Sequence, residues 1–275
     1  MSTEQRFDCT GQVAVVIGGS GVLCGGLARA LGRCGAAVVV VGHAHMDRAD
    51  QVAQQIVAEG GQAVALQADV LDRRSLAALA EQTVARFGRV DILINGAGGA
   101  KKEATTSDQL AFFDLPDDAV RWVFDLNLVS AFVACQVFGR TMASQGGGCI
   151  LNISSMGAER PLTRSVAYSA AKAAVVNFTR WLAVHMSQTY SPRIRVNALA
   201  PGFFLTEQNR FLLTDERTGE LTARGQRILA HTPMGRFGTH EDLVGTVLWL
   251  VSGSASFVHG IVVPVDGGFS AYSGV

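Results

Sequence analysis

Short runs of β-branched and other apolar residues alternate along the chain with segments whose apolar positions recur at helical spacing. The first run, at 13–17, is followed at once by glycines and then by a helical pattern at about 23–34. Similar runs follow at 37–41, 63–66, 90–94, 149–153, 194–198 and 261–265, with helical stretches such as 75–87 and about 117–143 between them. This alternation predicts an α/β fold, a Rossmann-like doubly wound parallel sheet of seven strands with helices on both faces.

The length of the chain is compatible with one domain. Its 275 residues and 29.0 kDa contain no linker-like tract, so we expect a single domain over 1–275. The segment at about 203–231 is too long for a simple connection, is rich in charge and has a partly helical pattern. Because it follows a strand end, we interpret it as a substrate lid.

Composition and charge exclude several classes of partner. Hydrophobic residues make up 48% of the chain and charged residues 17%, which suits a sheet covered on both faces. The formal net charge is zero and no basic run occurs, so no nucleic-acid partner is indicated. The first residues are polar, and no uninterrupted apolar run reaches the roughly 18 residues needed to span a bilayer. We therefore predict a cytoplasmic protein without a membrane partner.

Cysteine and histidine usage indicates neither disulfides nor a metal site. The five cysteines form no CxxC pair and leave an odd thiol, as expected in a reducing compartment. His43 and His45 are the only closely spaced histidines, and no carboxylate or cysteine completes a ligand set around them. We expect no bound metal.

The glycine-rich segment at 17–26 lies between the first strand and the first helix. Glycines let a backbone approach a pyrophosphate closely, and a helix N-terminus offers free N–H groups and a partial positive charge. The position therefore predicts a dinucleotide-phosphate site. A tight strand-to-helix turn without a ligand is the alternative.

Ser155, Tyr168 and Lys172 have a spacing that suits hydride transfer at an alcohol carbon. A four-residue separation places Tyr168 and Lys172 on one helix face. A phenol exchanges protons near neutrality only when positive charge stabilises its phenolate, and Lys172 would supply such charge. Ser155 ends the strand at 149–153 and could orient a substrate carbonyl. A solvated Tyr–Lys surface pair and a serine turn are the ordinary alternatives.

Together these residues make the chain resemble the short-chain dehydrogenase/reductase family over nearly its whole length. The family's fourth-strand motif is similar to Asn95-Gly96-Ala97-Gly98 of this chain, and the family's helical asparagine matches Asn127. The resemblance implies reversible ketone reduction by NAD(P)H, with Tyr168 as acid or base and Ser155 steadying the oxygen. It also implies that Asn127 holds a water of a proton relay through Lys172.

The family's pattern further implies a set of cofactor-binding residues around the glycine-rich turn and the following strand ends. These are Gly18, Ser20, Gly21, Val22, Leu23, His43, Asp69, Val70, Asn95, Gly96, Ala97, Tyr168, Lys172, Pro201, Gly202 and Thr206.

Several positions depart from that pattern. Ile17 replaces the family's threonine, and Val22 and Cys24 replace its second and third glycines in an ungapped alignment. Gly96 replaces the second asparagine of the fourth-strand motif. The individual phosphate contacts are therefore not set by the motif alone.

The end of the second strand bears on the choice between the two nicotinamide cofactors. An acidic residue there would bind the ribose 2′-hydroxyl of NAD, and a basic one the 2′-phosphate of NADP. Gly42 and His43 occupy the position, and His43, His45 or Arg48 could approach a phosphate. These residues could equally be solvated loop residues, so the sequence indicates NADP or NAD with a lean toward NADP.

Longer strings at 201–210, 231–238 and 266–275 resemble the D-mannonate oxidoreductase, or fructuronate reductase, branch of the family. The resemblance implies D-fructuronate and D-mannonate as substrates, in carbohydrate metabolism, and a homotetramer. The candidate carboxylate and hydroxyl ligands are Lys101, Arg160, Gln208 and Arg210, each with an alternative as a surface residue. Other sugar-acid or polyol dehydrogenases, and a non-catalytic dinucleotide sensor, are the alternative functions.

Overall fold

The strands of the computed structural model form one parallel sheet. The structure describes residues 7–206, 210, 213–215 and 217–274. Seven strands pair in the order β3-β2-β1-β4-β5-β6-β7, and every pair is parallel. They are β1 (Val13–Ile17), β2 (Ala37–Gly42), β3 (Gln62–Gln67), β4 (Ile92–Asn95), β5 (Gly148–Ile153), β6 (Ile194–Pro201) and β7 (Val262–Val265). The predicted doubly wound sheet is confirmed.

Helices connect the strands and cover both faces of the sheet. Those described are α1 (Val22–Arg33), α2 (Met46–Ala58), α3 (Arg73–Phe87), α4 (Asp117–Phe124), α5 (Ser130–Gln145), α6 (Val166–Thr189), α7 (Ala223–Ala230) and α8 (His240–Val251). Two separate apolar clusters lie on the two faces, one including Leu27 and Leu250 and the other Phe138 and Ile150. The strand order reverses between β1 and β4, which opens a crevice at the carboxyl ends of these strands.

The helical stretch predicted at about 117–143 is divided. A π-turn, Asp125–Val129, separates α4 from α5. By length and composition alone, Asp117–Gln145 is the one helical stretch in the described chain that could cross a membrane. However, Phe138 and Met142 are fully buried in the core cluster on the sheet, so the stretch packs as a core helix of the folded domain.

The lid predicted at 203–231 is described in part. Helix α7 lies within it, and its first turn is capped by the Thr222 hydroxyl, which accepts a hydrogen bond from the Gly225 N–H at 3.1 Å. An isolated bridge joins Thr214 to Leu221 before this helix. The partly helical character of the segment is thus confirmed in the part described, whereas its action as a lid stays a prediction.

Helices α1 and α8 approach each other at Gly26. A Cβ atom placed there would lie 2.1 Å from the His240 ring, which also contacts the Arg29 guanidinium at 3.2 Å. Gly26 therefore permits this helix pair to pack closely.

We expect Gly26→Ala to lower the free energy of unfolding by about 1–3 kcal/mol, because the added methyl group displaces the His240 ring. Gly245→Ala is the matched control, since Gly245 lies inside α8 with nothing within 4 Å of its Cβ position. That substitution should raise stability by about 0.5–1 kcal/mol through helix propensity. Denaturant unfolding of both variants checks the prediction, and equal effects would contradict it.

Candidate active site

The residues singled out from the sequence gather at the carboxyl edge of the sheet. The turn at 18–21 follows β1, Asn95 ends β4, Ser155 lies just beyond β5 and Pro201 ends β6. Because all these strands are parallel and adjacent, their ends meet in one crevice.

Lys172 connects helix α6 to the end of β5. Its Nζ donates a hydrogen bond to the Ile153 carbonyl at 2.8 Å, while its own carbonyl accepts one from the Ser154 hydroxyl at 3.0 Å. The next residue, Ser155, accepts a hydrogen bond from the Gly157 N–H at 3.1 Å. These contacts hold Ser155 beside the helix face that carries Tyr168 and Lys172.

Asn127 lies in the π-turn and holds the loop after β4. Its Nδ2 donates to the Gly99 and Val123 carbonyls, both at 2.8 Å, and its Oδ1 accepts from the Gly99 N–H at 3.1 Å. A Cβ at Gly98 would lie 2.6 Å from that Oδ1 and 3.0 Å from Lys172 Nζ. A larger residue at 98 would collide with both side chains, so only glycine lets Asn127 and Lys172 lie this close to the loop.

Burial shifts the pKa values of Tyr168 and Lys172 in opposite directions. Burial raises the pKa of the Tyr168 phenol, and a hydrogen bond with Ser155 partly offsets this. Burial also lowers the pKa of Lys172 from its ordinary value to about 8. The Lys172 ammonium lies 5.7 Å from the centre of the Tyr168 ring. A titratable phenol thus faces a cation and a hydroxyl in one crevice, an arrangement suited to proton exchange with an alcohol oxygen.

The turn after β1 fits a dinucleotide phosphate. Gly18 has φ +77°, and a Cβ there would lie 3.0 Å from the Gly96 carbonyl group. The N-cap residue of α1 is Gly21, so no side chain caps the N–H groups of the first turn. That turn also carries no acidic residue. The positive end of the helix dipole is therefore open to an anion, as phosphate binding requires.

Cys24 and Gly96, two departures from the family pattern, lie against each other. A Cβ at Gly96 would lie 2.2 Å from the Cys24 Sγ. Cys24 is buried, and burial raises the pKa of its thiol to about 11. The thiol thus fills the volume into which a side chain at 96 would extend, so each departure compensates for the other.

The adenine side of the predicted cofactor site brings His43 and Asp69 together. His43 Nε2 lies 3.9 Å from an Asp69 carboxylate oxygen, and both side chains are exposed. The backbone N–H of Asp69 donates a hydrogen bond to the Ser75 hydroxyl at 2.9 Å, which holds Asp69 in place. Val70 follows in the same turn, beyond β3.

The basic candidates for substrate binding have different surroundings. Lys101 places its ammonium 5.3 Å from the centre of the Trp122 ring. The Arg160 Nε donates to the Ser270 carbonyl at 3.0 Å, which ties this arginine to the chain after β7. Arg210 is exposed, and Gln208 lies outside the described residues.

Two further residues, one in the loop after β4 and one in α7, have weaker signals in the sequence. Gly98 is needed for the approach of Asn127 and Lys172, and its place in the Asn95–Gly98 motif is the signal that could have found it. Arg224, in α7, donates to the Thr163 hydroxyl at 3.1 Å. Its only sequence signal is its position in the predicted lid.

Comparison with known proteins agrees with this fold. The family model described as enoyl-(acyl carrier protein) reductase, one of the short-chain dehydrogenase models, matches residues 22–270. An uncharacterized oxidoreductase of Bacillus subtilis (strain 168), UxuB, is 48% identical over 274 residues, which cover 96% of this chain and 97% of that protein.

Two solved structures are similar along the whole chain. A protein from Haemophilus influenzae, provisionally described as a D-mannonate oxidoreductase and solved with bound NAD, is 43% identical, with a TM-score of 0.90 and 98% of each chain covered. A gluconate 5-dehydrogenase from Burkholderia cenocepacia, solved with NADP and tartrate, is 31% identical, with a TM-score of 0.86 and 98% and 99% of the two chains covered.

The fold and crevice define a nicotinamide-dependent oxidoreductase acting on alcohol groups. The chain belongs to the short-chain dehydrogenase/reductase family.

Lys172→Met should change how stability depends on pH. The folded wild type releases the Lys172 proton near pH 8, whereas the unfolded chain keeps it until about pH 10.5. The unfolded state therefore binds more protons in this window, and wild-type stability rises relative to the variant, by up to about 1.4 kcal/mol per pH unit. Denaturant unfolding of both proteins between about pH 7 and pH 10 measures this, and parallel curves would contradict it.

Gly96→Asn should weaken NAD(P)H binding and lower stability, because the new side chain meets the Cys24 thiol. Adding Cys24→Gly should recover much of both losses, with a coupling free energy of about 0.5–3 kcal/mol. Fluorescence titration with NAD(P)H and denaturant unfolding of the two single variants and the double variant complete the cycle. Additive effects would show that the two positions do not share a volume.

Proposed function

We propose that this protein interconverts a keto sugar acid and its hydroxy acid, with D-fructuronate and D-mannonate as the substrate pair. The observation that carries the proposal is the arrangement of Ser155, Tyr168 and Lys172, connected through the Ile153 carbonyl and the Ser155 hydrogen bond. The relative provisionally described as a D-mannonate oxidoreductase supports the choice of substrate.

In this proposal each residue has a separate task. NAD(P)H supplies the hydride when bound. Tyr168 donates a proton to the developing alkoxide oxygen during reduction and accepts it during oxidation, while the Ser155 hydroxyl donates a hydrogen bond to the same oxygen. The Lys172 ammonium favours the phenolate of Tyr168 by its charge. Asn127 fixes the loop after β4 and holds a water of the proton path to Lys172.

The cofactor would extend along the carboxyl edge of the sheet. Its phosphates would lie on the turn 18–23, its adenine end near His43 and Asp69, and its nicotinamide end near Tyr168, Lys172 and the chain at 201–206. The absence of an acidic residue at the end of β2 admits the phosphate of NADP. Asp69, 3.9 Å from His43, adds negative charge nearby, which favours NAD. Relatives solved with NAD and with NADP support testing both.

The segment 203–231 acts as a lid over the substrate. The protein works in the cytoplasm as a homotetramer, and an exposed apolar face on α5 and α6 that includes Phe132, Trp181 and Val184 supports contacts between subunits. Gluconate 5-dehydrogenase activity is the second candidate, favoured by the relative solved with tartrate.

The test follows NAD(P)H absorbance with D-fructuronate, 5-keto-D-gluconate, D-fructose and a 7-oxo bile acid, each with NADH and with NADPH. We expect the fastest turnover with D-fructuronate. Tyr168→Phe is the control and should lower kcat by about 10²–10⁴-fold, since it removes the proton donor, without loss of NAD(P)H binding. Faster turnover of another ketone would overturn the substrate assignment.

A further inference from the structure

The loop between Ser155 and α6 contacts three neighbouring segments. Thr163 accepts hydrogen bonds from the Arg224 guanidinium of α7, through its hydroxyl at 3.1 Å and its carbonyl at 3.5 Å. The Arg164 carbonyl accepts one from the Thr106 N–H, at 3.0 Å, in the chain after β4. Arg160 holds the chain after β7. Helix α7 is thus fastened to the loop that connects Ser155 with Tyr168.

Positive charge accumulates where α7 meets this loop. Arg224 is half-buried, and no carboxylate among the described residues lies within 4.0 Å of its guanidinium. Burial, together with the charges of Arg164 and Arg227, lowers the pKa of Arg224. The cation is therefore held at an electrostatic cost that a bound anion would relieve.

Arg164 is held beside Arg224 in an unusual backbone conformation. It has φ +73° and is the only non-glycine residue in the described chain with a positive φ. Its guanidinium lies 3.1 Å from Asp108, whose side chain is 94% exposed, so solvent screens this pair strongly. Residues held in such strained backbone conformations cluster at functional sites.

The free hydrogen-bonding capacity of Arg224 matches a carboxylate. Two of its five N–H donors bind Thr163, and no other described side chain accepts from the remaining ones. A guanidinium with free donors binds a planar carboxylate through two parallel hydrogen bonds.

We propose that Arg224, assisted by Arg164, binds the carboxylate of the substrate and so selects sugar acids over uncharged ketoses. This inference rests on the proposed function and adds the residues that determine the substrate class. Docking of the carboxylate on α7 would join substrate binding to the position of this helix.

The experiment compares the wild type with Arg224→Gln and Arg224→Lys on a charged and an uncharged ketone, D-fructuronate and D-fructose. For D-fructuronate, Arg224→Gln should lower kcat/KM by about 10–100-fold, mainly through KM, with partial recovery in Arg224→Lys. For D-fructose, kcat/KM should change less than about threefold. Arg217→Gln is the matched control, because Arg217 is an exposed arginine in the chain before the same helix, and it should behave like the wild type.

A binding measurement separates this inference from the proposed function. Calorimetric titration of the enzyme–NAD⁺ complex with tartrate, a dihydroxy dicarboxylate, should give at least tenfold weaker binding in Arg224→Gln, with unchanged NAD⁺ affinity. Faster wild-type turnover of a different ketone than of D-fructuronate would overturn the proposed function, whereas the tartrate result still tests Arg224. Equal losses with D-fructuronate and D-fructose, absence of tartrate binding by the wild type, or equal tartrate affinity in Arg224→Gln would overturn the inference.

Discussion

The site depends on a buried lysine whose ammonium reaches from α6 to the last carbonyl of β5. A cation in the protein interior is costly unless polar groups surround it, and here the Ile153 carbonyl accepts a hydrogen bond from Lys172 at 2.8 Å. This contact fixes the helix that carries Tyr168 against the strand that leads to Ser155. Burial keeps the pKa of Lys172 near 8, so the same cation that orients the helix also influences the protonation of the phenol.

Close backbone approach is the second requirement of the crevice. Glycine at 18, 96 and 98 lets the turn after β1, the end of β4 and the π-turn of Asn127 converge without side-chain overlap. Cys24 shows how this space is shared, because its thiol fills the volume beside Gly96. The crevice therefore accommodates changes from the family pattern when two positions change together.

The loop after Ser155 connects the chemical groups with two later segments of the chain. Arg224 fastens α7 to this loop at Thr163, and Arg160 fastens the chain after β7 to it at Ser270. The predicted lid and the chain after β7 thus share one support. Arg160 and Arg224 therefore each hold a segment of the chain with part of their guanidinium group.

The sequence by itself determined the fold and the chemical class. The apolar runs identified all seven strands, although boundaries such as that of β6 moved by a few residues. The central strands are buried on both faces and must be almost wholly apolar, and the half-buried edge strands β3 and β7 keep mainly apolar side chains. The four-residue spacing of Tyr168 and Lys172 placed them on one helix face, since helix geometry is local. Only the tertiary structure decided that Arg224 contacts the loop after Ser155 and why Cys24 accompanies Gly96. Both depend on contacts between segments distant in the chain, as between Arg224 and Thr163, which local periodicity does not encode.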